Sequence, residues 1–210
     1  VGGRSSHYFP GVDVLFYDEI DSDHYEQVVN LLQEAVTINF EYFDGVQNSP
    51  YIENDILYLP ISITNLTGHR LPSGTSFFRE AWLELIIKTK SEDTIFEKGV
   101  LDSPSQELDH NDNNLMLYTS ILYAEEDLKG KIIYEASKAR SFDDRTLRTL
   151  FYDTKTYEID INNYHGDLLV TARMLFRPFK PQVLASFHPS SIESVPIIEM
   201  YSDTLSVIIP

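Results

Sequence analysis

From Val36 the chain alternates apolar and polar side chains, with Val36, Ile38, Phe40 and Tyr42 set against Thr37, Asn39 and Glu41. A period of two is the pattern of a half-buried strand, because successive side chains leave opposite sides of a pleated backbone. Short β-branched and aromatic runs then recur to the end: "DILYLPISITN", "EAWLELIIKT", "TIFEKGV", "LMLYTSILY", "KIIYEASKA", "TYEIDI", "LLVTARMLFRPF" and "TLSVIIP". Turn-formers such as "TGH", "PSG", "KSED" and "NNYHGD" punctuate them. One stretch carries a helical period instead. In "DEIDSDHYEQVVNLLQEA", Tyr25, Val28, Val29, Leu31, Leu32 and Ala35 recur at helical spacing, and Asp21, Ser22 or Asp23 can cap the start. That predicts a helix over about 23–34.

The opening "VGGRSSHYFPG" is rich in Gly, Ser and Pro and predicts an extended arm over residues 1–20. The rest, residues 21–210, reads as one domain. About nine strands with no helical crossover between them predict a mainly β fold, an immunoglobulin-like β-sandwich with one N-terminal helix. Pro60, inside its strand, predicts an edge or a bulge, since proline cannot donate to a ladder.

Composition narrows the function more than the fold. With 210 residues, 42% of them hydrophobic, the chain can bury its own core. Its 16 Lys+Arg against 33 Asp+Glu give a net charge of -17, which phosphate backbones and anionic membrane surfaces repel. Nucleic acid is therefore not an expected partner. The acids suit solubility, a basic protein partner or a cation. The absence of cysteine excludes disulfides, thiolate metal sites, a cysteine nucleophile and covalent attachment of a c-type haem within these residues. No apolar run approaches the ~20 residues of a membrane span, and no basic-then-apolar leader opens the chain. The start at Val1 leads us to expect a processed chain or a piece of a longer one.

Candidate chemistry is sparse. Between Thr64 and Leu85 the chain sets Gly68, His69, Arg70, Pro72 and Gly74 in one turn, then Arg79 and the single tryptophan, Trp82, in a strand. Turn chemistry explains the corner by itself if Gly68 and Gly74 take positive φ and Pro72 stiffens the bend. Arg79, Arg173 and Arg177 lie beside strand residues, where arginines usually pair with carboxylates, and Glu80, Glu84 and Glu135 are available. The loop "DHNDNN" offers oxygen ligands for a hard cation such as calcium at Asp109, Asp112 and Asn114, although it lacks the EF-hand spacing and suits a solvated turn. There is no nucleophile elbow, no zincin pair, no phosphate-cradling loop and no dinucleotide fingerprint, so no enzymatic activity is expected. Asn65-Leu66-Thr67 matches a glycosylation acceptor. His7, in the polar arm, has no core to satisfy, and its imidazole suits an axial position on haem iron brought from elsewhere.

Taken in order, "SSHYFPG", "YEQVVNLLQEAVTINFE", "NLTGHRLPSG", "FFREAWLELIIKTKSEDTIFEKGVLD", "KIIYEA", "DDRTL", "LLVTARMLFRPFKPQVL" and "VPIIEMYSDTLSV" resemble the C-terminal region of a family of bacterial multihaem c-type cytochromes, in which a β-sandwich follows a haem-bearing portion. The resemblance implies a non-catalytic, periplasmic or extracellular domain that packs on and shields the haem portion of the same protein and meets redox protein partners. It implies haem c upstream, none of it attached to this chain. By position, His7 matches the family's distal axial ligand, while His69, Pro72 and Gly74 match its corner. Arg79, Trp82, Arg173 and Arg177 match its strand positions, where the cations would pair with haem propionates. His69 would either ligate iron or frame the pocket. The alternative is a calcium-stabilised β-sandwich binding module for a sugar or protein partner.

Overall fold

The computed structural model describes residues 22–41, 49–126 and 130–210. The arm, with His7, and Tyr42 lie outside the described residues. The predicted helix is present as α1, Ser22–Gln33, and its apolar stripe is narrower than the sequence pattern. Val28, Leu32 and Ala35 are buried, whereas Leu31 is exposed, because one face of a surface helix cannot bury every apolar residue at i+3 and i+4. That face packs on the last strand of the fold.

Strands form within each predicted run, but of "KIIYEASKA" only two residues are strand, with a 3-10 turn at Ala136–Lys138, and two short strands, Tyr51–Glu53 and Ser141–Asp144, fall outside the predicted runs. The strands are β1 (Val36–Asn39), β2 (Tyr51–Glu53), β3 (Ile56–Asn65), β4 (Glu80–Thr89), β5 (Thr94–Lys98) and β6 (Leu117–Tyr118). There follow β7 (Ser120–Tyr123), β8 (Ile132–Ile133), β9 (Ser141–Asp144), β10 (Tyr152–Asp160), β11 (Gly166–Arg177) and β12 (Ile198–Ile209). All pairings between them are antiparallel. One sheet runs β1-β3-β10 with β2 also on β3, a second runs β12-β11-β4-β5 with β6 on β4, and a small third runs β8-β7-β9. The first two share one core. Leu57, Leu59, Ile61 and Ile63 of β3 and Leu83, Leu85 and Ile87 of β4 are all fully buried in it, as are Val170, Ala172 and Met174 of β11. Burying each large side chain of this kind contributes about 1.5–3 kcal/mol. The fold is thus the mainly β sandwich that the alternation predicts.

Three local departures have physical causes. Pro60 lies in the interior strand β3, not at an edge: it is opposite Thr156 of β10, but on the other side β1 pairs only with 62–65 and β2 only with 56–58. The proline therefore sits at the gap between two short partners, where no ladder donor is needed. The run "LMLYTSILY" is two strands in two sheets, because Thr119 turns its hydroxyl back to donate to the Arg79 carbonyl at 2.7 Å and passes the chain across. After β11, "PQVLASF" makes a short helix, α2 (Pro181–Phe187), started by a proline whose fixed φ suits the first turn.

Candidate functional site

The corner that precedes β4 is built on one side chain. The Asn65 amide is fully buried and its Nδ2 donates to the carbonyls of His69 at 2.8 Å, Leu147 at 3.2 Å and Arg148 at 3.1 Å. Its Oδ1 accepts the Thr67 backbone N–H at 2.9 Å. An amide engaged in this way is no glycosylation acceptor in the folded chain. Leu71 then bridges to Leu147, the Leu71–Pro72 peptide is cis, and Arg70 reaches Asp144 at 2.6 Å on the surface. The left-handed glycine of the corner is Gly74, at φ +69°, with Arg79 donating to the Ser73 carbonyl beside it. Gly68 is not among the residues with positive φ, so turn freedom is needed at one of the two expected glycines. His69 is exposed, and its backbone rather than its imidazole holds the turn.

The outer face of β4 and β11 holds a second constellation. Register places Glu84 opposite Arg173, Trp82 opposite Leu175 and Glu80 opposite Arg177, so ionic, apolar and ionic pairs alternate along the two strands. The segment 99–117 folds over this face. Trp82 packs with Leu108 and Leu175 and donates Nε1–H to the Gly99 carbonyl at 2.9 Å. Gly99 sits at φ +71°, and a Cβ there would lie 2.4 Å from the Leu83 carbonyl oxygen, so the chain can start this cover only with glycine.

Beneath the cover the Arg177 side chain is 0% exposed. Its Nε donates to Glu80 Oε2 at 2.7 Å, its Nη1 donates to the Gln106 carbonyl at 2.8 Å, and the guanidinium lies 5.5 Å from the Trp82 ring. The other Glu80 oxygen meets His110 Nε2 at 2.6 Å. Burial alone would raise the Glu80 carboxyl, but the His110 hydrogen bond and the Arg177 and Lys180 charges outweigh it and hold the group at about 2. Lys180, just after β11, is also buried and donates Nζ–H to the Ser120 carbonyl at 2.9 Å. Burial pushes its ammonium down to about 8, against the pull of Glu80. With both carboxylate oxygens engaged and its pKa depressed, Glu80 is a structural anchor and not a base for catalysis.

The residues singled out in the sequence therefore separate. Arg79, Glu80, Arg177 and Lys180 gather at one end of β4 and β11, with Arg79 only 8% exposed. The propionate role expected of Arg177 meets a physical obstacle, since its donors point inward and solvent does not reach it. Arg173 stands at the rim, its side chain 40% exposed, with Nε donating to Glu84 at 2.6 Å and Nη1 3.5 Å from Glu199. Of the carboxylates named as available partners, Glu80 and Glu84 serve, while Glu135 pairs with Lys138 on the surface. His110 and Lys180 had no sequence signal of their own; each is a lone polar residue that only the tertiary fold brings to Glu80.

In the loop expected to hold calcium, the carboxylates meet their own turn and a lysine. Asp109 Oδ1 accepts the Asn111 N–H, Asp112 Oδ1 accepts the Asn114 N–H, and Asp112 Oδ2 pairs with Lys98 at 2.9 Å. Asn114 enters through its backbone. Among the described residues, no group of three or more His, Cys, Asp or Glu could hold a metal ion, and no helix is long and apolar enough to cross a membrane.

No protein-family model and no curated protein matches this chain. Among solved structures it is similar to a penta-heme cytochrome c552 from Thermochromatium tepidum, with a TM-score of 0.62 and 16% identity, over 85% of this chain and 41% of that one. At that identity the likeness is one of fold. The chain spans about two fifths of the length of the cytochrome.

Proposed function

We propose that this chain is the non-haem β-sandwich region of a multihaem, c-type-cytochrome-like electron-transfer protein, and that it packs against a haem-bearing portion outside these residues. One observation carries the reading: 85% of a chain with no cysteine takes the fold of a part, not the whole, of a penta-heme cytochrome. The haem would supply the redox centre. The residues of this chain would shield it, orient it and set the charge near it, with no catalytic step of their own. The haem would lie in the periplasm or outside the cell, where c-type cytochromes work.

The fit of individual residues differs. His69 and Arg173 have surface to offer, and Arg173 would place a cation near a propionate while keeping Glu84. Arg79 and Arg177 are buried and would act one layer behind, by fixing the corner and the strand end. His7 would be the axial imidazole from the arm. The acidic surface, at a net charge of -17, would favour basic redox partners in small, transient contacts. In the natural full-length protein, Arg173→Gln is expected to lower a haem reduction potential by roughly tens of millivolts, as loss of a nearby cation should. His69→Ala is expected to change the visible spectrum or the potential. If neither variant moves either quantity, neither the His69 corner nor the Arg173 rim meets haem.

A further inference from the structure

In a chain this acidic, one cleft has the opposite sign. It lies where the 113–118 segment, the turn at 145–148 and the start of β10 meet, and it encloses about 440 Å³. That volume lies within the ~300–1,000 Å³ of sites for small molecules. Three cations, Arg145, Arg148 and Lys155, line it, with Asp153 as its one carboxylate. Arg145 is engaged by Asp143 at 2.7 Å. The other two are not neutralised in this way: Arg148 is exposed, 6.0 Å from the Phe151 ring, and Lys155 donates Nζ–H to the Asn113 carbonyl at 2.7 Å. Among the described residues neither forms an ion pair. Asp112 and Asp144, which feel Lys155 and Arg148, have closer cations in Lys98 and Arg70. Asp153 accepts the Tyr118 hydroxyl at 3.0 Å.

The apolar half of the cleft is equally defined. Met116 and Leu147 are buried residues of its wall, and Phe151, stacked on Tyr152 at 5.3 Å and 11°, is 49% exposed at its rim. Leu150, next to Phe151, is 72% exposed and sits at φ +50°, a conformation that costs a leucine energy and tends to occur at binding sites. Unpaired cations beside an exposed flat ring match a ligand that has both kinds of surface.

We propose that this cleft is an anion site for a carboxylate carried on a flat apolar body, the carboxylate meeting Arg148 and Lys155 and the body lying against Phe151 and Leu147. Two sources share that chemistry. One is a free aryl carboxylate. The other is the propionate edge of a haem from the haem-bearing portion, and this source alone rests on the function proposed above.

Titration calorimetry of the 210-residue chain with 2-naphthoate, at low salt, is expected to give a Kd below about 1 mM. The uncharged 2-naphthamide should bind at least about tenfold more weakly, and salt near ~0.5 M should weaken the naphthoate several-fold. Arg148→Gln should weaken naphthoate about fivefold or more with an unchanged melting temperature, since an exposed charge contributes little to folding; Lys155→Gln should weaken it as much, with a melting temperature lowered by no more than the loss of its one hydrogen bond to Asn113 allows. Equal affinity for the amide, unchanged binding in both Arg148→Gln and Lys155→Gln, or a Kd above about 1 mM would overturn the site. The same titration on the natural full-length protein separates the sources. Lost naphthoate binding, with a haem potential that shifts in Arg148→Gln, supports the propionate; retained binding supports a free ligand. A full-length protein without haem sinks the cytochrome reading and the propionate source, and leaves the naphthoate result to decide the cleft.

Discussion

Glu80–Arg177 and Glu84–Arg173 bridge the same two strands, on the same face, four residues apart. Their sequence contexts are alike and their physical situations are not. The 99–117 segment covers the first pair completely, and it adds His110 and two backbone carbonyls to the network. The second pair is left at the rim, where water reaches Arg173 and Glu199 competes for it. A buried pair is held because neither charge can be left alone in a dry interior, whereas a half-exposed pair exchanges one hydrogen bond for another at little cost. The comparison teaches that an arginine on a strand face becomes an anchor or an interaction group according to what the neighbouring loop covers.

The largest effect separating the two pairs should come from truncation. Arg177→Ala leaves Glu80 buried beside only His110 and Lys180 and should cost about 3–5 kcal/mol, read as a lower midpoint in urea. A loss near that of a surface pair would mean that water enters behind the cover, and the distinction between the pairs would fail. Next comes the pH dependence of Lys180. Its folded pKa, about 8, is below its ordinary 10.5, so the unfolded chain holds more protons between these values and stability should rise with pH across that window. The gain by pH ~9.5 should be about 1–2 kcal/mol and should vanish in Lys180→Met. Above about pH 10.5, where the Lys180 contribution is exhausted, the slope should reverse, because burial raises Tyr134 to about 12 and the folded state then holds the extra proton. A flat profile in the parent chain would show that Lys180 is hydrated. The smallest effect should be that of Arg173→Ala, at about 1 kcal/mol or less in a thermal melt.

What was legible in the sequence follows the same division between local and covered structure. The predicted runs located the strands of both large sheets except the three-residue β2, because the pattern is dictated by the single core that both sheets share. Glu80 and Glu84 could be named as arginine partners from the strand pattern alone. The cover over Trp82 and Arg177 could not, since "LDSPSQELDHNDNN" reads as polar loop and its few apolar members, Leu101 and Leu108, show no period. The calcium expectation failed to find support for a related reason: close oxygen spacing looks the same whether the carboxylates face a cation or cap their own turn. The cationic cleft was invisible because Asn113, Arg148 and Lys155 meet only when segments from different sheets are brought together.

The central claim is that haem belongs to the protein and not to this chain. Its most direct test is the intact mass of the natural full-length protein, taken with its visible spectrum, oxidised and reduced. The account predicts covalently bound haem mass and a reducible c-type spectrum there, and neither in the 210-residue chain alone. A natural protein with no haem mass and no such spectrum would contradict it and leave only a shared fold.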